Sequence, residues 1–259
     1  MGEPSSLTKL SLEEYLKTTD LQELLHELGA QNADLLVKEI SHFTMKEAEK
    51  RDRMVLGYFG EEGVNKIIDS IIAWLNSAPK LKPNAKILDM GAGSGFFTAR
   101  IAANMRKLVP YASFYAMDAT PAMLSALEKK KAAITPFFGI AENIAGSIEN
   151  ANKYATVPGR FDAVFSTLML HHCPDIDKVF KSVRQVLKPR GKAVIIDLCT
   201  HTFTEFKNEM GDVHLGFDTN LVRKAAKKVF SEVTIKKLPG ICCSSSGRSA
   251  ELFAATLKL

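Results

Sequence analysis

KILDMGAGSGFFT, residues 86–98, decides how the rest of the chain is read. Ile87 and Leu88 begin a short apolar strand that runs into Asp89, and glycines follow at alternate positions, Gly91, Gly93 and Gly95. A helix then opens near Phe96. Glycine carries no Cβ, so a loop spaced this way turns sharply and lets its backbone lie directly against a ligand. The first N–H groups of the following helix have no partner within it and favour an anionic group. The stretch therefore predicts a cofactor site.

Two familiar devices of this kind do not fit. A dinucleotide fingerprint read from Gly91 needs its third glycine where Phe96 stands, and no Gly-Lys-Ser/Thr follows to make a phosphate loop. The segments downstream are regular. SFYAMDAT (113–120) reads as a second strand ending in Asp118, whose carboxylate can accept both hydroxyls of a ribose. PAMLSAL (121–127) begins a helix with Pro121 at a suitable early position. ITPFFGIAENI (134–144) reads as strand three and its loop, and FDAVFSTLMLHHCPD (161–175) as strand four entering a turn. VLKPRGKAVIIDL (186–198) reads as a helix end, a turn and strand five. Strands alternating with helices predict a parallel sheet covered on both faces.

An acid ending the first strand, then G-x-G-x-G, then these segments in this order, resembles the class I S-adenosylmethionine-dependent methyltransferases. The likeness covers roughly residues 80–259. It is nearest to the small-molecule type, similar to ubiquinone/menaquinone-biosynthesis methyltransferases and to those fused to ArsR-type regulators, whose segment after strand five HTFTEFKNEMGDVHLGF (201–217) resembles. The resemblance implies an α/β fold: a doubly wound, mostly parallel seven-stranded sheet of Rossmann-like type with an N-terminal helical cap. The cap would span 1–80 and the methyltransferase domain 81–259, with FSEVTIKKL as strand six, ELFAATLKL as an antiparallel strand seven and PGICCSSSGRS joining them. S-adenosyl-L-methionine is the implied cofactor and S-adenosyl-L-homocysteine the product. By the same resemblance Asp89, Gly91, Ala92, Gly93 and Gly95 meet the methionine end and Asp118 the ribose. Ala119 and Met123 lie beside the adenine, Ala141 and Glu142 border it, and Thr167 and Leu168 form the far wall. Ile140 departs from the pattern, standing where many relatives place an aspartate.

Methyl transfer is an in-line displacement in which the sulfur loses its charge, so alignment supplies much of the rate, up to ~7–11 kcal/mol. A base helps only an acceptor that must lose a proton. Ligands of such sheets bind at the carboxyl ends of the strands, where His171, His172, Cys173, Asp197, Cys199 and His201 fall. Imidazole suits proton removal near neutral pH, which makes His171 and then His201 the candidate bases. His201, Glu205, Asp212 and His214 include metal-ligating types, but their spacing matches no established ligand pattern and no metal is expected. The pair Cys242-Cys243 suggests soft-ligand chemistry. Arsenite methyltransferases, however, carry a cysteine on the loop leaving strand four, where this chain has Thr167 and Leu168.

The first eighty residues read as short helices over 11–17, 20–28, 31–41, 46–57 and 61–77. The last carries Val64, Ile67, Ile68, Ile71, Ile72 and Leu75 at the spacing of a buried stripe. Tyr58 and Phe59 would line a lid over the cofactor. A net charge of +5 is mild and the lysines at 129–131, 227–228 and 236–237 are dispersed, unlike the single basic face of a nucleic-acid binder. No apolar run reaches the ~18 residues of a membrane span, and the four cysteines form no zinc or disulfide framework. A cytoplasmic enzyme with a small-molecule acceptor is expected, and nothing sets an oligomeric state. STLM (166–169) replaces the Asn/Asp-Pro-Pro-aromatic signature of nucleobase amino methyltransferases. The alternatives are a cofactor-binding sensor or scaffold without turnover, or a methyltransferase of RNA or protein.

Overall fold

The strand that feeds the glycine loop, β1 (Lys86–Met90), lies mid-sheet, paired in parallel with β2 (Ser113–Asp118) and β4 (Phe161–Thr167). Next outward come β3 (Ile134–Phe138) and β5 (Leu187–Leu198), also parallel. On the β5 side, β7 (Arg248–Lys258) inserts antiparallel between β5 and β6 (Glu232–Ser245). The order β3-β2-β1-β4-β5-β7-β6 is the mostly parallel seven-stranded sheet that the sequence led us to expect. This computed structural model describes residues 43–204, 211–245 and 248–259 and positions 33, 34, 37, 38, 41 and 207, with backbone only at 242–245 and 248. The helices expected over 11–17 and 20–28, and most of that over 31–41, lie outside the described residues.

Strand side chains alternate between two cores, as the pleat requires. Ile87, Phe165, Val194 and Ile196 face α1 (Met45–Leu75) and α2 (Phe96–Leu108). Leu88, Val164, Ala193 and Ile195 face α4 (Ile144–Ala151), α5 (Ile176–Val186) and α6 (Thr219–Lys227). The remaining helix, α3 (Pro121–Lys129), follows β2, with Pro121 in its first turn.

The expected helices over 46–57 and 61–77 form one element, α1, broken at Gly60 (φ 63°, ψ 169°), a conformation open to glycine. Thr44 caps its start by accepting the Glu47 N–H. Past the break, Val64, Ile67, Ile71 and Leu75 are fully buried, each worth about 1.5–3 kcal/mol relative to exposure. The end of α1 is anchored to β5. Trp74 Nε1–H donates to the Ala193 carbonyl at 3.0 Å. Lys192, 1% exposed, donates to the carbonyls of Trp74, Ser77 and Pro79 at 3.2, 2.8 and 3.0 Å.

One expectation needs correcting. The stretch PGICCSSSGRS is not a connection: β6 continues through it to Ser245 and β7 starts at Arg248. Pro239 and Gly240 look like turn residues, but Gly240 (φ 70°) serves a shift of the β6–β7 register between Leu238 and Cys242. Such a bulge bends a strand without ending it.

Candidate cofactor and active site

At the carboxyl end of β1 the chain turns through Gly91, Gly93 and Gly95, all at positive φ (76°, 53° and 75°). The three do different things. A Cβ on Gly91 would stand 2.0 Å from Met169 Cγ, and one on Gly95 would stand 2.7 Å from Leu127 Cγ, so both are packing positions. A Cβ on Gly93 would meet nothing within 4 Å, because this residue borders open space. The Gly91 and Ala92 N–H groups both donate to the Met117 carbonyl, at 2.8 and 2.9 Å.

That space is a cleft open to solvent, with about 690 Å³ of empty volume when the solvent at its mouth is counted. Gly91, Gly93, Asp118 and Ala119 form its floor, and Met123, Ala141, Glu142 and Leu168 are also on its walls. Asp118, at the end of β2, accepts the Gly93 N–H on one carboxylate oxygen (2.7 Å) and the Thr120 N–H on the other (2.8 Å). These two backbone donors fix the carboxylate at the cleft. Met117 and Ile140 add apolar surface suited to a flat ring. Gly93→Leu is expected to put a side chain into the cleft and raise the cofactor Kd at least about tenfold, while the αL backbone position costs only about 1–2 kcal/mol. Calorimetric titration beside a urea melt separates the two effects.

Other expected residues lie elsewhere. Ala92, Gly95 and Thr167 are not on the cleft wall, and Tyr58 and Phe59 pack against the core between α1, α2 and the sheet. In their place Phe43 and Arg51 reach the cleft, with the guanidinium 5.6 Å from the Phe43 ring centre. On the same helix Asp52 accepts the Ser94 hydroxyl at 2.6 Å, tying α1 to the glycine loop. Nothing local in the sequence marks these residues, since helix and loop meet only through the fold. Gly139, also on the cleft, was findable: it follows β3 as Gly91 follows β1, and a Cβ there would crowd Ser147 at 2.5 Å.

Asp89 lies beneath the cleft rather than on it. It is 2% exposed and accepts the Thr98 hydroxyl at 2.6 Å, while its Oδ1 has no partner among the described residues. Burial, opposed by the Thr98 hydrogen bond and reinforced by the charge of Asp118, pushes its carboxyl up to about 8. An acid raised in the folded state stabilises below its unfolded pKa of ~3.9, and that contribution is lost as pH climbs to the folded value. Stability should thus fall between about pH 4 and pH 8, and Asp89→Asn should flatten the decline and be the more stable form at pH 8.5. Urea midpoints at pH 6 and 8.5 test this; parallel losses in both proteins would refute it.

Beyond the glycine loop, the end of β4 and the end of β5 bring histidines and acids together. His171 Nδ1 lies 2.6 Å from Asp197 Oδ1, and its Nε2 lies 3.6 Å from Asp212 Oδ1. Burial alone would raise the Asp197 carboxyl, but the charge and hydrogen bond of His171 and the Leu198 N–H hold it below its usual range. His172 stacks beside His171, ring centres 4.1 Å apart, and lines the cleft with Met169 and Cys173. The segment 211–217 closes over this group: the His214 N–H donates to the His171 carbonyl, and His214 Nε2 lies 3.0 Å from the Cys173 carbonyl. His201 accepts the Phe203 N–H on Nδ1, and burial lowers its pKa against the pull of Asp212. Neither His171 nor His201 is on the cleft wall. The side chains of Cys242 and Cys243 lie outside the described set.

Residues 88–195 match the family model described as "Methyltransferase domain". The chain is similar to a highly reducing polyketide synthase of Gibberella zeae, 26% identical over 56% of this chain and 6% of that protein. It is also similar to the ubiquinone/menaquinone biosynthesis C-methyltransferase of Rickettsia peacockii, 28% identical over 44% of each. The chain thus spans less than half the length of these curated relatives. Among solved structures, Haemonchus contortus phosphoethanolamine N-methyltransferase 2 in complex with S-adenosyl-L-methionine shares the fold. It aligns at TM-score 0.54 and 17% identity, over 73% of this chain and 52% of that one. No described helix is long and apolar enough to cross a membrane. The sheet order, the glycine loop and the match over residues 88–195 together support a methyltransferase domain of the class I S-adenosylmethionine-dependent type in this chain.

Proposed function

We propose that the protein transfers the methyl group of S-adenosylmethionine to a small-molecule acceptor by in-line displacement. The observation that carries this reading is the cleft itself. Bare backbone at Gly93 and the carboxylate of Asp118 line it together with Phe43 and Arg51 of the N-terminal segment. A recess walled on several sides suits a small acceptor better than a polymer, which needs an open surface. When bound, the cofactor supplies an electrophilic methyl group on a sulfonium. The chain's own residues orient it: Asp118 for the ribose hydroxyls, Ala119, Met123, Ile140, Ala141 and Glu142 around the adenine, and Gly91 to Gly95 with Leu168 toward the methionine end. Asp89, one layer down, supports the loop.

Alignment then accounts for most of the acceleration, and no base is obligatory. His171, the first candidate for proton removal, has one ring nitrogen on Asp197 and the other facing Asp212. Incubation with methyl-labelled S-adenosylmethionine and cell extract, followed by separation by size, tests the proposal. Label in small molecules, lost in Asp118→Ala, is expected. Label in protein or RNA would overturn the acceptor class, and cofactor binding without any transfer would favour a sensor.

A further inference from the structure

We propose that His171, His172 and Asp212 form a binding site for one divalent transition-metal ion, with zinc the best match to the donors, and that Asp197 is the carboxylate behind His171. The three residues offer one ligand atom each, all within 4.8 Å of one another. Asp212 gives the independent sign. Its side chain is 1% exposed, yet neither carboxylate oxygen has a hydrogen-bond partner among the described residues. A buried carboxylate is costly unless it is paired or coordinates a metal.

The spacing agrees. Asp212 Oδ1 lies 3.6 Å from His171 Nε2, too far for a good hydrogen bond. Two ligands each ~2.0–2.1 Å from a tetrahedral ion stand about 3.3 Å apart, so closing a few tenths of an ångström would place both on one ion. Metal-bound histidines almost always give their second ring nitrogen to a carboxylate, a backbone carbonyl or water, and His171 Nδ1 lies 2.6 Å from Asp197 Oδ1. That contact fixes the ring with Nε2 toward Asp212. Two imidazoles and a carboxylate suit zinc, and three protein ligands leave a position open. His172 lines the cofactor cleft, so the open position is available to an acceptor oxygen, whose proton the ion would make easier to lose.

Metal binding needs neither methyl donor nor acceptor, so its test is independent of the proposed transfer activity. The full chain is stripped with chelator, then titrated with Co²⁺ and, in competition with a chromophoric chelator, with Zn²⁺. One equivalent should bind, with visible d–d absorption and without the near-ultraviolet band of a cobalt–thiolate bond, which separates this site from the cysteines. Asp212→Asn and His172→Gln should each weaken binding at least 100-fold, and Asp197→Asn about 10–100-fold. Should a variant fail to fold, the wild-type stoichiometry and spectrum still decide. Absence of stoichiometric binding, a thiolate band, or unchanged affinity in folded Asp212→Asn would each overturn the site. The group would then be an imidazolium between two carboxylates.

Discussion

Asp118→Ala should raise the Kd for S-adenosylmethionine by about 100-fold or more, measured by calorimetric titration. A hydrogen bond to a charged group contributes about 1.5–3 kcal/mol, and the two oxygens of Asp118 would each accept one ribose hydroxyl. The same carboxylate also holds the N–H groups of Gly93 and Thr120. Its loss therefore also loosens the loop where Gly93 borders the cleft. Asp118→Asn, which keeps one acceptor, should fall between wild type and alanine. An alanine variant that binds within threefold of wild type would remove Asp118 from the cofactor site.

Lys192→Met should have the largest effect on stability with almost none on the cleft. The ammonium gathers three carbonyls at the end of α1, where a cation also complements the helix dipole. Methionine fills the space but takes the ammonium from the Ser77 and Pro79 carbonyls, while the Trp74 carbonyl keeps the Ser77 N–H and hydroxyl, a cost of about 2–4 kcal/mol. For a chain of this size the Tm should drop by roughly 5–15 °C. Lys192 opens the regular part of β5 and Asp197 lies near its other end, so about 16 Å of strand separates the anchor from the site. Cofactor affinity of the folded variant should be unchanged. A Tm within 2 °C of wild type would show that water satisfies the carbonyls equally well.

The glycine loop was legible because its signal is local: strand, acid, alternate glycines and helix occupy thirteen consecutive residues. Strand order followed from the resemblance and the alternation of elements. The β6–β7 hairpin misled because Pro239, Gly240 and the serines that follow carry the composition of a loop, whereas the long pairing with β7 overrides it. The histidines and acids of the cluster were legible singly, at or just after the ends of β4 and β5, but their pairing was not. His171 follows β4, whereas Asp197 lies near the end of β5 and Asp212 in the segment after it, so no spacing along the chain encodes their meeting. Phe43 and Arg51 escaped notice for the same reason, and the neighbouring aromatics Tyr58 and Phe59 drew the expectation instead.

The sheet has two open rims, β3 and β6, and each carries a deterrent against a foreign strand. Pro136 stands in the middle of β3, and proline is tolerated in sheets at such rims because one donor is missing there. On β6, exposed Lys236 and Lys237 precede the bulge at Pro239 and Gly240, and charge and a bend are the features that discourage edge-to-edge stacking. A variant with Lys236 and Lys237 replaced by valine would expose a flat apolar rim to neighbouring chains.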